Sequence, residues 1–223
     1  MGQDVKLTAS DGFKLGGYRA DPAGAPKAAI VVIQEIFGVN HHIRSVCDRL
    51  AAAGYVAIAP SIFDRIEPNF QCGYSPDEVA NARKFVANPD WAAMLLDTQA
   101  AIDAVKAVGP VGIVGFCLGG SVAFVAATKL PGLSAAVGYY GGAVARFAED
   151  KPKVPTQLHF GEKDAGIPLT DVETIKAKRP DVEVFVYPGA QHGFHCDERA
   201  SYDKVSSDIA WPRSLDFFAK HLK

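Results

Sequence analysis

An apolar run, Val111 to Val114, leads directly into Gly115-Phe116-Cys117-Leu118-Gly119-Gly120, and a run of small, helix-compatible residues, Ser121 to Ala127, follows it. The order reads as a strand, a sharp turn and a helix. Glycine on both sides of the turn lets strand and helix approach closely while the side chain between them takes a strained position. Cys117 holds that position. The N-terminus of the next helix favours negative charge there, so Cys117 is a candidate thiol nucleophile for acyl transfer. Glycine turns after strands also serve phosphate sites. No P-loop lysine follows this one, and its spacing is not that of a dinucleotide fingerprint.

The rest of the chain alternates in the same sense. Short β-branched or apolar runs predict strands at Ala28 to Gln34, Tyr55 to Ala59, Val111 to Gly115, Leu133 to Tyr140, Thr156 to Phe160 and Val182 to Tyr187. Helical signals fall between them: Asn40 to Ala53 closed by Gly54, Pro76 to Val86 capped by Ser75, Trp91 to Val108, Leu118 to Leu130 and Leu169 to Lys178. A final helix is expected over Ser201 to Leu222, its core face made of Ile209, Trp211, Leu215, Phe218 and Ala219, with Pro212 as a kink or break. Val5 to Leu7 and Phe13 to Tyr18 flank Ser10-Asp11-Gly12 as a hairpin. Strand–helix alternation predicts an α/β fold with a mainly parallel sheet, helices on both faces and the hairpin as an antiparallel edge. No repeat or linker divides the chain, so one domain over residues 1–223 is expected, with no large lid domain. The segment Ser61 to Ser75, weak in periodicity, is expected to form a small active-site loop.

Composition narrows the function. A net charge of -2 gives no reason to expect nucleic acid or an anionic membrane as partner. No apolar run is long enough to span a bilayer, and Met1 to Ser10 has no apolar signal core. The four cysteines, Cys47, Cys72, Cys117 and Cys196, form no C-x-x-C pair, so neither a zinc site nor a disulfide framework is expected. A reducing cytoplasm fits best. Neighbouring His41 and His42 do not face one direction on a helix, which argues against a metal there. No cofactor is expected.

A thiol nucleophile needs a base, an orienting acid and donors for an oxyanion. Asp164 follows the strand Thr156 to Phe160 in Gly161-Glu162-Lys163-Asp164, with Glu162 as its local rival. His192 follows the strand Val182 to Tyr187 in Pro188-Gly189-Ala190-Gln191-His192-Gly193-Phe194, with His195 as rival. Both loops leave the C-terminal ends of predicted parallel strands, the edge at which open α/β sheets bind ligands. Gln34-Glu35-Ile36-Phe37-Gly38 ends the first parallel strand there too. A Glu after a buried run is costly unless paired. His159, inside a predicted strand, reads as a buried hydrogen-bonded residue. Tyr139 and Tyr140 alternate faces, so one is expected at the pocket edge and one in the core.

Gln34-Glu35-Ile36-Phe37-Gly38-Val39-Asn40, Gly115-Phe116-Cys117-Leu118-Gly119-Gly120, Ala136-Val137-Gly138-Tyr139-Tyr140-Gly141, Gly161-Glu162-Lys163-Asp164 and His192-Gly193-Phe194 together resemble the dienelactone hydrolase family. The resemblance runs through nearly the whole chain. It implies an α/β-hydrolase fold and a nucleophile–acid–His order met by Cys117, Asp164 and His192. It implies an oxyanion hole from the backbone N–H groups of Leu118 and Ile36, and a Glu35 that contacts the resting thiol and assists it when substrate binds. The activity implied is cysteine-dependent hydrolysis of a lactone or ester through an acyl-enzyme, of the dienelactone-to-maleylacetate type. A carboxylesterase or thioesterase of the same fold, a thiol redox protein resolved by Cys196, and a non-enzymatic binding module are the alternatives. Phe37, Arg65, Tyr139 and Phe194 are the expected substrate contacts, and a monomer or weak dimer the expected state. Of the two arginines that hold a substrate carboxylate in the family, the one four residues after the catalytic His is Cys196 here. Arg65 and Arg199 are the candidates to replace it, and Asn81 and Arg83 lie near the expected place of the other.

Overall fold

The computed structural model describes residues 2–223; Met1, counted in the expected domain, lies outside them. The strands are β1 (Gln3–Thr8), β2 (Lys14–Ala20), β3 (Ala29–Ile33), β4 (Val56–Pro60), β5 (Val111–Phe116), β6 (Ala135–Tyr139), β7 (Thr156–Gly161) and β8 (Glu183–Tyr187). The helices are α1 (His41–Ala52), α2 (Pro76–Lys84), α3 (Trp91–Val105), α4 (Leu118–Lys129), α5 (Leu169–Lys178) and α6 (Lys204–His221). One eight-stranded sheet runs β1-β2-β4-β3-β5-β6-β7-β8. The hairpin pairs antiparallel within itself and onto β4, and all other pairings are parallel. The mainly parallel sheet with an antiparallel hairpin edge is therefore present as read from the sequence.

Residues along β3 divide between the two faces with the period of two that a strand dictates. Ile30 and Val32 join a core with Ile43, Val46 and Leu50 of α1, Val172 and Ile175 of α5, and Phe217 and Phe218 of α6. Ala29, Val31 and Ile33 join the opposite core with Ile102 and Val105 of α3 and Val122 and Ala126 of α4. The connections from β3 go out to β4 on one side, and β5 then starts on the other. That reversal opens a crevice at the C-terminal ends of β3 and β5.

Local chemistry sets the element ends. Asn40 caps α1 by accepting from the Ile43 N–H. Ser75 and Glu78 form a capping box on α2, with Pro76 just inside. The segment Ser61 to Ser75 departs from expectation. It packs inward through Phe63 and Phe70, whose rings meet Phe85, and it bridges to Gly38 through Gln71. It supports the site from behind, and α2 supplies the wall. The last helix also differs. It begins at Lys204 behind an Asp203 cap, and Pro212 lies inside it without ending it. Its buried face is Ser206, Ser207, Ala210, Ser214, Phe217 and Phe218; Ile209 and Ala219 are exposed. An apolar count cannot see this phase, because buried serines hold it. Ser214 bonds Tyr139 Oη at 2.7 Å and His159 Nε2 at 3.1 Å, and Ser207 bonds His195 Nδ1 at 2.8 Å. His159 is a buried, bonded residue, as its strand position implies. Burial pushes its pKa down to about 3.

Gly115 shows how tightly the turn is wound. A Cβ there would lie 1.9 Å from the Gly119 carbonyl oxygen. That neighbour is backbone and cannot rotate away. Gly115→Ala is expected to destabilise the fold by at least about 1–3 kcal/mol, the usual cost of overpacking. A thermal melt checks it, with a fall of several degrees expected for a chain of this size.

Candidate active site

Cys117 sits between β5 and α4 with φ 56° and ψ -116°. A non-glycine residue pays for that left-handed backbone. Three hydrogen bonds hold it: Cys117 N–H donates to Tyr139 O at 3.0 Å, and Cys117 O accepts from Gly120 N–H at 3.0 Å and Ser121 N–H at 3.3 Å. The side chain therefore projects from the sheet edge instead of folding into the core. It is partly exposed and borders two adjoining cavities of about 500 and 300 Å³.

The loops after β7 and β8 are tied to each other through backbone. Glu162 N–H donates to Tyr187 O at 3.0 Å, and Lys163 N–H to Ala190 O at 2.8 Å. The Glu162 carboxylate accepts from Gly189 N–H at 2.8 Å, so this rival to Asp164 is a loop clasp. The clasp places Asp164 beside His192: His192 Nδ1–H donates to Asp164 Oδ2 at 2.7 Å. The Asp164 side chain is fully buried. His192 borders both cavities with Cys117. Burial works against charge on this imidazole. Attraction to Cys117 and to Asp164, which accepts the Nδ1–H, outweighs it, and His192 is pushed up to about 10. His195, the other rival, stacks on Phe116 and Trp211 in the core, where burial holds it well below its usual value.

Ile36 and Leu118 both line the smaller cavity with Cys117. Among the described residues, neither backbone N–H has an acceptor in the chain. Both amides are thus free to receive a charged oxygen from the cavity.

Glu35 is buried at the end of β3. Its Oε1 accepts from Arg199 Nη1 at 3.1 Å, and Oε2 has no partner. Glu35 makes no hydrogen bond to the thiol, the contact implied by the family resemblance; Arg199 takes the carboxylate instead. Arg199 reaches Glu35 across Gly193, which has φ 78° and whose missing Cβ would stand 2.4 Å from Arg199 Nη1. That close approach accounts for the glycine after His192.

The expected substrate contacts divide. Phe37 lines the larger cavity. Arg65 does not reach it, because Asp97 and Asp11 hold its guanidinium in bonds of 2.7–3.2 Å. Tyr139 and Phe194 are also displaced: both are fully buried among aromatic rings, and neither borders a cavity. Tyr140 comes nearer the site, with its ring 5.1 Å from His192. Its backbone has φ 38°, a departure from strand geometry that alternation could not foresee. The cations lining the larger cavity are Arg83, Lys163 and Arg199, and Arg146 lines the smaller one. Arg199 and Arg83 were legible as unplaced arginines; Lys163 carried no signal beyond its place next to Asp164.

A doubly wound sheet carrying a strained cysteine at a strand-to-helix turn, with a His–Asp pair on the loops after the last two strands, defines an α/β-hydrolase. The chain matches the model of the dienelactone hydrolase family over residues 15–222. It is 36% identical to a Synechocystis sp. protein provisionally named a carboxymethylenebutenolidase, covering 100% of both chains. It is 31% identical to the carboxymethylenebutenolidase of Pseudomonas putida, covering 97% of this chain and 96% of that one. The solved structure of a Klebsiella pneumoniae protein, provisionally titled a dienelactone hydrolase, superposes with a TM-score of 0.87 at 32% identity, covering 99% and 100% of the two chains. The chain belongs to the dienelactone hydrolase family, and it is a hydrolase of carboxylic ester or lactone bonds. Among the described residues no helix is long and apolar enough to cross a membrane.

Proposed function

We propose that the chain hydrolyses a carboxylate-bearing lactone or enol ester through a Cys117–His192–Asp164 triad and an acyl-enzyme. The observation that carries this reading is the 2.7 Å His192–Asp164 bond in the cavity that also exposes Cys117. Cys117 attacks the carbonyl as thiolate while His192 carries the proton. The Ile36 and Leu118 amides stabilise the oxyanion, each donor of this kind supplying a few kcal/mol. Imidazolium protonates the departing enolate or alkoxide, and neutral His192 then draws a proton from the water that releases the acid. Asp164 fixes the imidazole tautomer throughout. A dienelactone would leave as a maleylacetate-type product. A single domain, a cytoplasmic setting and a monomer or weak dimer accompany this reading.

The cations support the carboxylate. Among the described residues Arg83 enters no ion pair and lines the cavity, so its planar fork is available to an anion. Arg199 is shared: a substrate carboxylate competes with Glu35 for it, and a freed Glu35 then assists the thiol. Arg83→Met is expected to raise KM for a carboxylate-bearing lactone about 10–100-fold, the worth of a charge-assisted contact, while a neutral activated ester changes little. Steady-state kinetics on both substrates check this. The reading itself is tested on a panel of lactones, activated esters and amides. Thiolate is easily expelled again, so amides, with poor leaving groups, are expected to react very slowly. Efficient peptide cleavage without esterase activity would overturn it.

A further inference from the structure

Behind the catalytic cysteine the structure holds a second group of donors. A Glu35 oxygen, a His42 ring nitrogen and the Cys196 sulfur lie within 4.8 Å of one another, and all three residues are buried. They come from β3's end, from α1 and from the turn after His192, so only the fold brings them together. We propose that Glu35, His42 and Cys196 form a binding site for a thiophilic divalent cation, of which zinc is the type, and that occupancy shuts the hydrolase down.

The unpartnered atoms point to a ligand. His42 is fully buried, and neither of its ring nitrogens has a hydrogen-bond partner, although Nδ1 lies 3.6 Å from the Asp197 carboxylate. Glu35 Oε2 has none either. Buried polar groups are almost always satisfied. Here two of the three side chains carry atoms that are not, and each of the two has a donor atom within 4.8 Å of the others in the group. The donor chemistry agrees. Imidazole nitrogen, thiolate sulfur and carboxylate oxygen are the ligands of zinc, with bonds of about 2.0–2.3 Å. Drawing three atoms from within 4.8 Å onto one ion asks for a contraction of about 1 Å. A water would complete the four-coordinate shell. His42 is already suited to bind, since burial holds its ring in the neutral form. Cys196 now donates to Tyr74 Oη at 3.2 Å. On binding, its S–H bond breaks, sulfur bonds to the metal, and the proton passes to solvent.

Arg199 is the cover. It lies between Glu35 and the larger cavity, which gives the ion its route once the guanidinium swings out. A dication then replaces a monocation on the same carboxylate. Arg199 and Glu35 are lost to the reaction proposed above, and this inhibitory consequence alone rests on that reading. Adjacent His41 and His42 argue against a metal in the sequence. They do face apart, with His41 exposed; the partners of His42 stand far off in the chain.

The test separates binding from turnover. Cobalt(II) is titrated into Cys117→Ala, which removes the catalytic thiol as a competing ligand. One equivalent is expected to bind, with a thiolate-to-cobalt absorption in the near ultraviolet. Cys196→Ser in that background is expected to lose the absorption, and His42→Gln to weaken binding at least tenfold. With Cys117 intact, zinc is expected to inhibit ester hydrolysis, and Cys196→Ser to keep the basal rate while needing at least tenfold more zinc. Absence of stoichiometric cobalt would overturn the proposal. So would absorption that survives Cys196→Ser, or equal zinc sensitivity in the two proteins, which would put the metal on Cys117 and His192. A cobalt signal in a protein that hydrolyses no ester would sink the proposed function and leave the metal site standing.

Discussion

Cys117→Ala is expected to lower kcat/KM on an activated ester by on the order of 10⁴-fold or more, the scale on which triad nucleophiles act, and to leave the melting temperature nearly unchanged. The two halves have separate causes. Among the described residues Cys117 is the one sulfur that borders the cavity beside His192; Cys47 is buried, Cys196 is bonded to Tyr74, and the Cys72 N–H is bonded to Phe37 O. Without Cys117 no nucleophile remains in reach. Ser121 lines the smaller cavity, but its Oγ accepts from Ala143 N–H at 2.9 Å and has no imidazole beside it. Stability is spared because the side chain is only half-buried, and alanine pays the same backbone cost at φ 56°. Cys117→Gly gives the control. Glycine enters that conformation freely, so this variant should melt above Cys117→Ala while being equally inactive. A rate near wild type for either variant would remove Cys117 from the reaction. A large fall in melting temperature with partial activity would make it a packing residue.

How far the chain could be read in advance follows from where its constraints are local. The turn at Cys117, the capped helices α1 and α2 and the strands β3 to β8 are written in contiguous residues, so spacing and turn chemistry located them to within a few positions. Asp164 and His192 could be read because each directly follows a strand, and parallel strands deliver such loops to one edge. Arg65 could not be placed, because an arginine carries no sign of its partner, and Asp11 and Asp97 lie far from it in the chain. The face of α6 is legible only in part for the same reason: Trp211, Leu215 and Phe218 pack on the core as expected, but Ile209 and Ala219 are exposed, because serines are buried to satisfy His159 and His195, which belong to other elements. Tyr139 and Tyr140 were assigned by alternation, and the left-handed backbone at Tyr140 breaks it. Long-range pairing is what the sequence conceals, and the Glu35–His42–Cys196 group is the plainest case.

Asp164→Asn tests the other half of the proposed triad, and here the pH profile decides more than the rate. An amide is nearly the same shape, so the loop clasp through Glu162 and Lys163 should survive. Asparagine can, however, present its NH₂ to Nδ1 and favour the tautomer with its proton on the wrong nitrogen. A loss of on the order of 10³–10⁴-fold in kcat is expected from that alone. The charge is lost as well. His192 is held at about 10 against its burial partly by Asp164, so removing the carboxylate lets burial and the missing hydrogen bond lower it. In the wild type the imidazolium persists until pH approaches that value, and the alkaline fall of kcat/KM should lie there. In Asp164→Asn the alkaline limb should move down toward neutrality. The stability linkage has the same sign. A histidine raised from about 6.5 to about 10 contributes stability below pH 6.5, and the contribution disappears as pH rises through 10. The variant should therefore show a smaller loss of melting temperature between pH 7 and pH 10 than the wild type. An unmoved alkaline limb in kcat/KM, measured beside those melts, would mean that Asp164 orders the loop without tuning the imidazole.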